Sequence, residues 1–137
     1  MIGRLVFDTE PLIAYLDDEP GSDTVEDWID KVASGEIDGY ISPVTKTEVL
    51  YVGSRVGFRW NDLQASLRRL EELGVVVHDS RECWDTAADL KRQYTMALGD
   101  AYALATANDV DGTLLVGADD DFDDVDASIE RFRTDPV

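Results

Sequence analysis

The chain has 137 residues, of which 44% are hydrophobic and 31% charged. That balance fits one globular domain with a core of its own and excludes a disordered chain. Acidic residues outnumber basic ones 30 to 12, a formal net charge of −18, which argues against broad electrostatic capture of nucleic acid or of an anionic membrane.

Leu5-Val6-Phe7 is a short apolar run ending at Asp8, and it predicts a buried strand. Residues 9–17 read as a short helix. Asp23 and Glu26 form a capping-box pattern ahead of Val25, Trp28, Ile29 and Val32, which share one helix face. Tyr40-Ile41 predicts a brief strand. Ser42-Pro43 is a helix start, a capping hydroxyl followed by proline at the first helical position. That helix is expected to run to Gly53 or Gly57. Leu63, Leu67, Leu70 and Leu73 mark the next helix, which Gly74 stops. Val75-Val76-Val77 predicts a third strand. Ser80 is positioned to cap a long helix with Cys83, Ala87, Leu90 and Tyr94 on one side. A further helix starts near Asp100, Thr113–Val116 is a fourth strand and Ile129–Phe132 a fifth. Residues 134–137 are expected to fray. No composition break divides the chain, so residues 1–137 are read as a single domain.

Short apolar strands alternating with amphipathic helices predict an α/β fold, a parallel sheet covered by helices on both faces. Sites in such sheets form beyond the carboxyl ends of the strands, near a reversal of strand order. Attention therefore falls on acids at those ends. Asp8 follows the first strand and Asp119 closely follows the fourth. Asp100 has Ala103, Leu104 and Ala107 as its helical neighbours, and Glu48 shares a face with Val44, Tyr51 and Val52. Each has a plain alternative as a helix cap, an ion-pair partner or a surface acid. Four converging carboxylates repel one another by about 1–4 kcal/mol per pair at contact, so a cluster requires a cation. Oxygen ligands without a Cys/His set favour Mg²⁺ or Mn²⁺ over zinc.

Val6-Phe7-Asp8-Thr9, Thr45–Tyr51 with Glu48, Leu98-Gly99-Asp100-Ala101 and Leu115–Phe122 with Asp119 resemble the motifs of a PIN domain. Their order and spacing match from residue 3 to about residue 133. A chain of this length is similar to the VapC-type toxins of toxin–antitoxin pairs. The resemblance implies a three-layer α/β/α sandwich with a central parallel sheet of four to five strands. It implies that Asp8, Glu48, Asp100 and Asp119 hold one or two Mg²⁺ or Mn²⁺ ions and hydrolyse RNA to a 5′-phosphate and a 3′-hydroxyl. Thr9 would orient Asp8 or a water molecule. It also implies a VapB-like antitoxin as partner, and a homodimer. The family often carries Ser or Thr two residues before the last acid, where this chain has Gly117, so Asp121 or Asp123 stands as a substitute outer ligand. A catalytically quiet PIN-like binding module, and an RNA-processing nuclease without an antitoxin, remain open beside the toxin reading.

Other constellations fail. Asp119, Asp121, Asp123 and Glu130 occupy the first, third, fifth and twelfth positions of a calcium loop, but the sixth is Asp124 where the turn needs glycine. A receiver domain lacks its middle-strand acceptor, and an Asp-x-Asp phosphatase would need aspartate at Glu10. His78 has no nucleophile partner and reads as structural. Cys83 reads as a core residue, and Trp28, Trp60 and Trp84 read first as packing residues, with Trp60 the one that a partner surface would also suit.

The charge is uneven. From Lys46 to Arg69 the chain carries five basic residues against Glu48 and Asp62, a local net of +3 that leaves −21 for the rest. Arg55, Arg59, Arg68 and Arg69 either pair with acids such as Glu71 and Glu72, hold RNA phosphates, or line a groove for an acidic amphipathic antitoxin segment. Asp outnumbers Glu 21 to 9 and only 3 of the 12 basic residues are Lys, a pattern expected of a halophilic, archaeal source. A lone cysteine, no signal-peptide pattern and no long apolar run predict a cytoplasmic protein without a membrane span.

Overall fold

The computed structural model describes residues 1–136. The elements run β1 (Arg4–Phe7), α1 (Thr9–Leu16), α2 (Ser22–Ala33), β2 (Asp38–Ile41), α3 (Pro43–Arg55), α4 (Trp60–Glu72), β3 (Val76–Val77), α5 (Trp84–Gln93), α6 (Leu98–Asp109), β4 (Thr113–Val116) and β5 (Ile129–Arg131). A 3-10 turn, Asp120–Phe122, follows β4. The five strands pair in parallel in the order β3-β2-β1-β4-β5. The strand order reverses between β1 and β4, so the crevice beyond their carboxyl ends is the expected place for a site.

Alternation along β1 builds the layers. Leu5 and Phe7 face one side and pack with α1 to α4, through residues such as Leu12, Ile29, Val49 and Leu67. Val6 faces the other side and packs with α5 and α6, through Ala87, Ala103 and Leu104. The result is a three-layer α/β/α sandwich. Helix α6 is buried on most sides, which its run of alanines permits.

Ser42 caps α3 as its sequence predicts, its hydroxyl accepting from the Val44 N–H at 3.1 Å. Strand β2 begins two residues earlier than expected, at Asp38, β5 ends at Arg131 rather than Phe132, and three further boundaries differ for reasons the structure shows. Helix α2 starts at Ser22 after Gly21 in the left-handed region, φ +89°, rather than from an Asp23 capping box. A side chain at Gly21 would meet the Phe132 ring at 2.8 Å, so tertiary contact sets that turn. Helix α5 starts at Trp84, because Ser80–Cys83 closes a turn through the Cys83 N–H to the Ser80 carbonyl at 2.9 Å. Cys83 is buried as expected, but at the N-cap rather than on a helical stripe. Val75 lies outside β3, its N–H still bonded to the Leu70 carbonyl at the end of α4.

Trp28 packs against the core, but Trp60 and Trp84 are exposed, which corrects their reading as packing residues. Both sit at the first position of a helix, where tertiary cover is thin. His78 closes the end of β3 and contacts Asp109 at 2.6 Å, as a structural residue would. Val137, in the tail expected to fray, lies outside the described residues. Among the described residues no helix is long and apolar enough to cross a membrane.

Candidate active site

Four acids meet where the strand order reverses. Asp8 follows β1 and stands at the N-cap of α1, Glu48 projects from the middle of α3, Asp100 lies in the first turn of α6, and Asp119 leads into the 3-10 turn after β4. All four line one cleft of about 360 Å³, together with Thr9, Glu10, Glu19 and an apolar wall of Ile13, Val52, Val56 and Phe122.

Asp8 is the centre of strain. It is 4% exposed, and its Oδ1 is buried with no hydrogen-bond partner. Burial, then the charge of Asp100 and a carboxyl–carboxyl hydrogen bond to it, raise the Asp8 pKa well above the usual carboxylate range. The Thr9 amide pulls the other way, and Glu48 adds to the rise. Asp100 is pushed up to about 6, first by burial and then by Asp119 and Glu48, against the lowering effect of the Asp8 hydrogen bond. An unpartnered buried oxygen among three further carboxylates leaves the free energy of the site unbalanced without a cation. The donor set is all oxygen, which suits a hard divalent ion.

The Thr9 hydroxyl donates to Glu48 Oε1 at 2.7 Å, so the carboxylate it orients is Glu48 rather than Asp8. Gly99 makes room for the same carboxylate, since a side chain there would collide with Glu48. Asp119 Oδ1 accepts the Asp121 N–H at 2.9 Å. The Asp119, Asp120 and Asp121 carboxylates lie within 4.8 Å of one another. Asp121 nevertheless lines a separate polar depression with Asp120, Asp124, Gln93 and Tyr94. Asp123 is turned to Arg131, 2.7 Å away.

Glu10 is the site residue that sequence reasoning missed. Its carboxylate occupies the space beside Gly117, so a side chain at that position would have to displace it. Glu10 Oε2 accepts from Arg133 at 3.1 Å, and Arg133 also bonds Glu19 and the Pro20 carbonyl, each at 3.0 Å. A second cavity of about 610 Å³ opens beside the cleft, sharing Glu10, Glu19 and Asp119 and adding Arg133. The only early signal was Glu10 standing two residues after Asp8. Its partner Arg133 is 123 residues away, beyond any local pattern.

The arginines of the basic island do not enter the cleft. Arg55, Arg59, Arg68 and Arg69 are all exposed. Arg55 stacks over Tyr51 at 5.3 Å, Arg69 faces Glu72 at 3.6 Å and Lys46 faces Glu71 at 3.3 Å. The ion pairs are surface contacts of small energetic weight. Arg55 is carried by the same helix as Val52, which lines the cleft, but is not itself among the residues that line it.

A parallel α/β/α sandwich with acids gathered at its strand-order reversal defines a carboxylate-centred α/β domain. The family model described as PIN domain matches residues 5–128, so the chain belongs to the PIN domain family. Three solved structures are similar in fold. The VapBC2 complex of Rickettsia felis bound to promoter DNA has a TM-score of 0.73 and 15% identity, over 93% of this chain and 98% of that chain. A toxin–antitoxin complex from Klebsiella pneumoniae has a TM-score of 0.67 and 22% identity, over 92% and 95%. FitAcB from Neisseria gonorrhoeae has a TM-score of 0.61 and 23% identity, over 91% and 95%. No curated protein matches the sequence.

Proposed function

We propose that this protein is a Mg²⁺- or Mn²⁺-dependent endoribonuclease and the toxin of a VapBC-like pair. The observation that carries the reading is Asp8, buried with an unpartnered oxygen and facing Asp100, Glu48 and Asp119. Asp8, Glu48, Asp100 and Asp119 are the residues that would hold the cation. A bound divalent ion supplies Lewis acidity, a nucleophile at neutral pH and charge stabilisation on the leaving oxygen. A bound cation would favour the ionised carboxylates of Asp8 and Asp100, because their raised pKa values reflect burial and repulsion that a cation relieves. Thr9 holds Glu48 in one orientation through its hydroxyl. Ile13 and Phe122, both buried, with Val52 and the half-exposed Val56, give the cleft one apolar wall, which lowers the local dielectric around the acids.

The similarity to structures solved as toxin–antitoxin complexes supports a VapB-like antitoxin as partner. The +3 island with Arg55 and Arg59 is the surface best suited to RNA phosphates or to an acidic antitoxin segment. A homodimer belongs to the same reading, and sedimentation tests it. In the central experiment, purified protein cuts RNA with Mg²⁺ or Mn²⁺ and stops in EDTA. Asp100→Asn folds but loses most of the activity. Undiminished cleavage by Asp100→Asn defeats the mechanism. An antitoxin reading frame adjoining the gene distinguishes the toxin from an RNA-processing nuclease.

A further inference from the structure

Glu48 and Asp100 stand on helices, and Asp8 is the single residue between β1 and α1, its N–H bonded to the Leu115 carbonyl at 3.1 Å. Asp119 depends on a longer connection, the segment Gly117–Asp119 between β4 and the 3-10 turn. It also repels Asp100 across the cleft. Without restraint, like charge would push this segment outward.

The restraint comes from β5. Its register places Arg131 beside Val116, the last residue of β4, so the side chain can reach the segment that follows. Arg131 Nη1 donates to the Gly117 carbonyl at 2.6 Å and to the Asp119 carbonyl at 3.0 Å. Its Nη2 donates to Asp123 Oδ1 at 2.7 Å. Two carbonyls that flank Ala118 thus converge on one nitrogen, which fixes the backbone that aims Asp119. From the other side, Glu10 Oε2 accepts the Ala118 N–H at 3.4 Å while Arg133 holds Glu10. The Arg131 side chain is 22% exposed and its bonds to the two carbonyls are partly buried, so these two are sheltered from competing water, whereas the bond to Asp123 is exposed.

We propose that Arg131 is the positioning residue for Asp119, and that it sets divalent-ion affinity through the Gly117 and Asp119 carbonyls without touching the ion. The inference rests on the proposed carboxylate metal site. Only a planar guanidinium offers this set of donors, so lysine replaces it in part.

The test compares Arg131→Ala, Arg131→Lys and, as a control on an exposed arginine, Arg92→Ala, all well below their melting temperatures. Mn²⁺ affinity is measured by titration calorimetry and amide exchange by NMR. Arg131→Ala is expected to weaken Mn²⁺ binding about 10- to 100-fold, the usual effect of losing a residue that orients a ligand. Arg131→Lys recovers part of the loss, and Arg92→Ala matches the parent. The Asp121 amide, which donates to Asp119 Oδ1, loses protection in Arg131→Ala. A lower melting temperature with unchanged Mn²⁺ affinity and unchanged Asp121 protection overturns the proposal. If the parent protein itself binds no Mn²⁺, the metal site is refuted, and Asp121 protection still decides whether Arg131 aims Asp119. Loss of protection in Arg131→Ala then sustains the positioning role, and retained protection ends it.

Discussion

Replacing Asp100 with asparagine probes the carboxylate cluster through stability, independently of turnover. Asp100 has its pKa pushed up to about 6 from an ordinary 3.8, chiefly by burial. A group with a raised folded-state pKa contributes stability that is complete below its unfolded pKa and is lost as pH rises through the folded value. In EDTA, the parent protein should therefore lose stability from pH 4 to above pH 6. The shift corresponds to on the order of 3 kcal/mol, or roughly 10 °C in melting temperature for a domain of this length. Asp8 adds to the fall in the same direction, because its pKa is also raised by burial and by Asp100. Asparagine cannot ionise, so Asp100→Asn should melt higher than the parent at pH 7.5 in EDTA and show a shallower pH slope. Saturating Mg²⁺ should raise the parent by about 2.7 kcal/mol at 100 times Kd, and the variant by much less. The assay is thermal denaturation at constant high KCl, which screens surface repulsion while leaving the buried pair largely unscreened. A parent stability that rises over this pH range, or parallel profiles for parent and variant, refutes the reasoning.

Gly99→Ala should displace the Glu48 carboxylate and weaken Mn²⁺ binding about tenfold on the outer-contact scale. Calorimetry checks the affinity, and helix propensity favours the alanine by about 1 kcal/mol, so melting should not fall by much. Leu115→Ala removes a fully buried side chain on β4, close to Asp119, and should cost about 2–5 kcal/mol in urea unfolding. The double variant Arg55→Glu, Arg59→Glu should weaken binding of single-stranded RNA or of an acidic peptide. Fluorescence anisotropy reads this, and Mn²⁺ affinity should stay unchanged because neither arginine lines the cleft. If the Asp-rich surface is an adaptation to salt, stability should fall as KCl is withdrawn, and equal stability in dilute buffer counts against it.

Much of this molecule was legible in the chain because the relevant signals are local. Leu5-Val6-Phe7 and Thr113–Val116 are apolar runs that only a covered sheet accommodates, and Ser42-Pro43 starts a helix by its own chemistry. The acids at Asp8 and Asp119 stood out because a charge follows a buried run at each place. Boundaries failed where a distant residue decides them, as at Gly21 against Phe132, or where a local turn competes with the helix, as at Ser80–Cys83 ahead of Trp84. The same distinction separates the acids from their supports. Residue type and spacing marked Asp8, Glu48, Asp100 and Asp119 as a set, since carboxylates near packed faces are costly singly and useful together. Only the fold decided that Thr9 serves Glu48, that Glu10 takes the space beside Gly117, and that Arg131 and Arg133 brace the far side. Hydrogen bonds and excluded volume depend on which segments a parallel sheet brings side by side, and strand pairing across more than a hundred residues leaves no periodic trace in the chain.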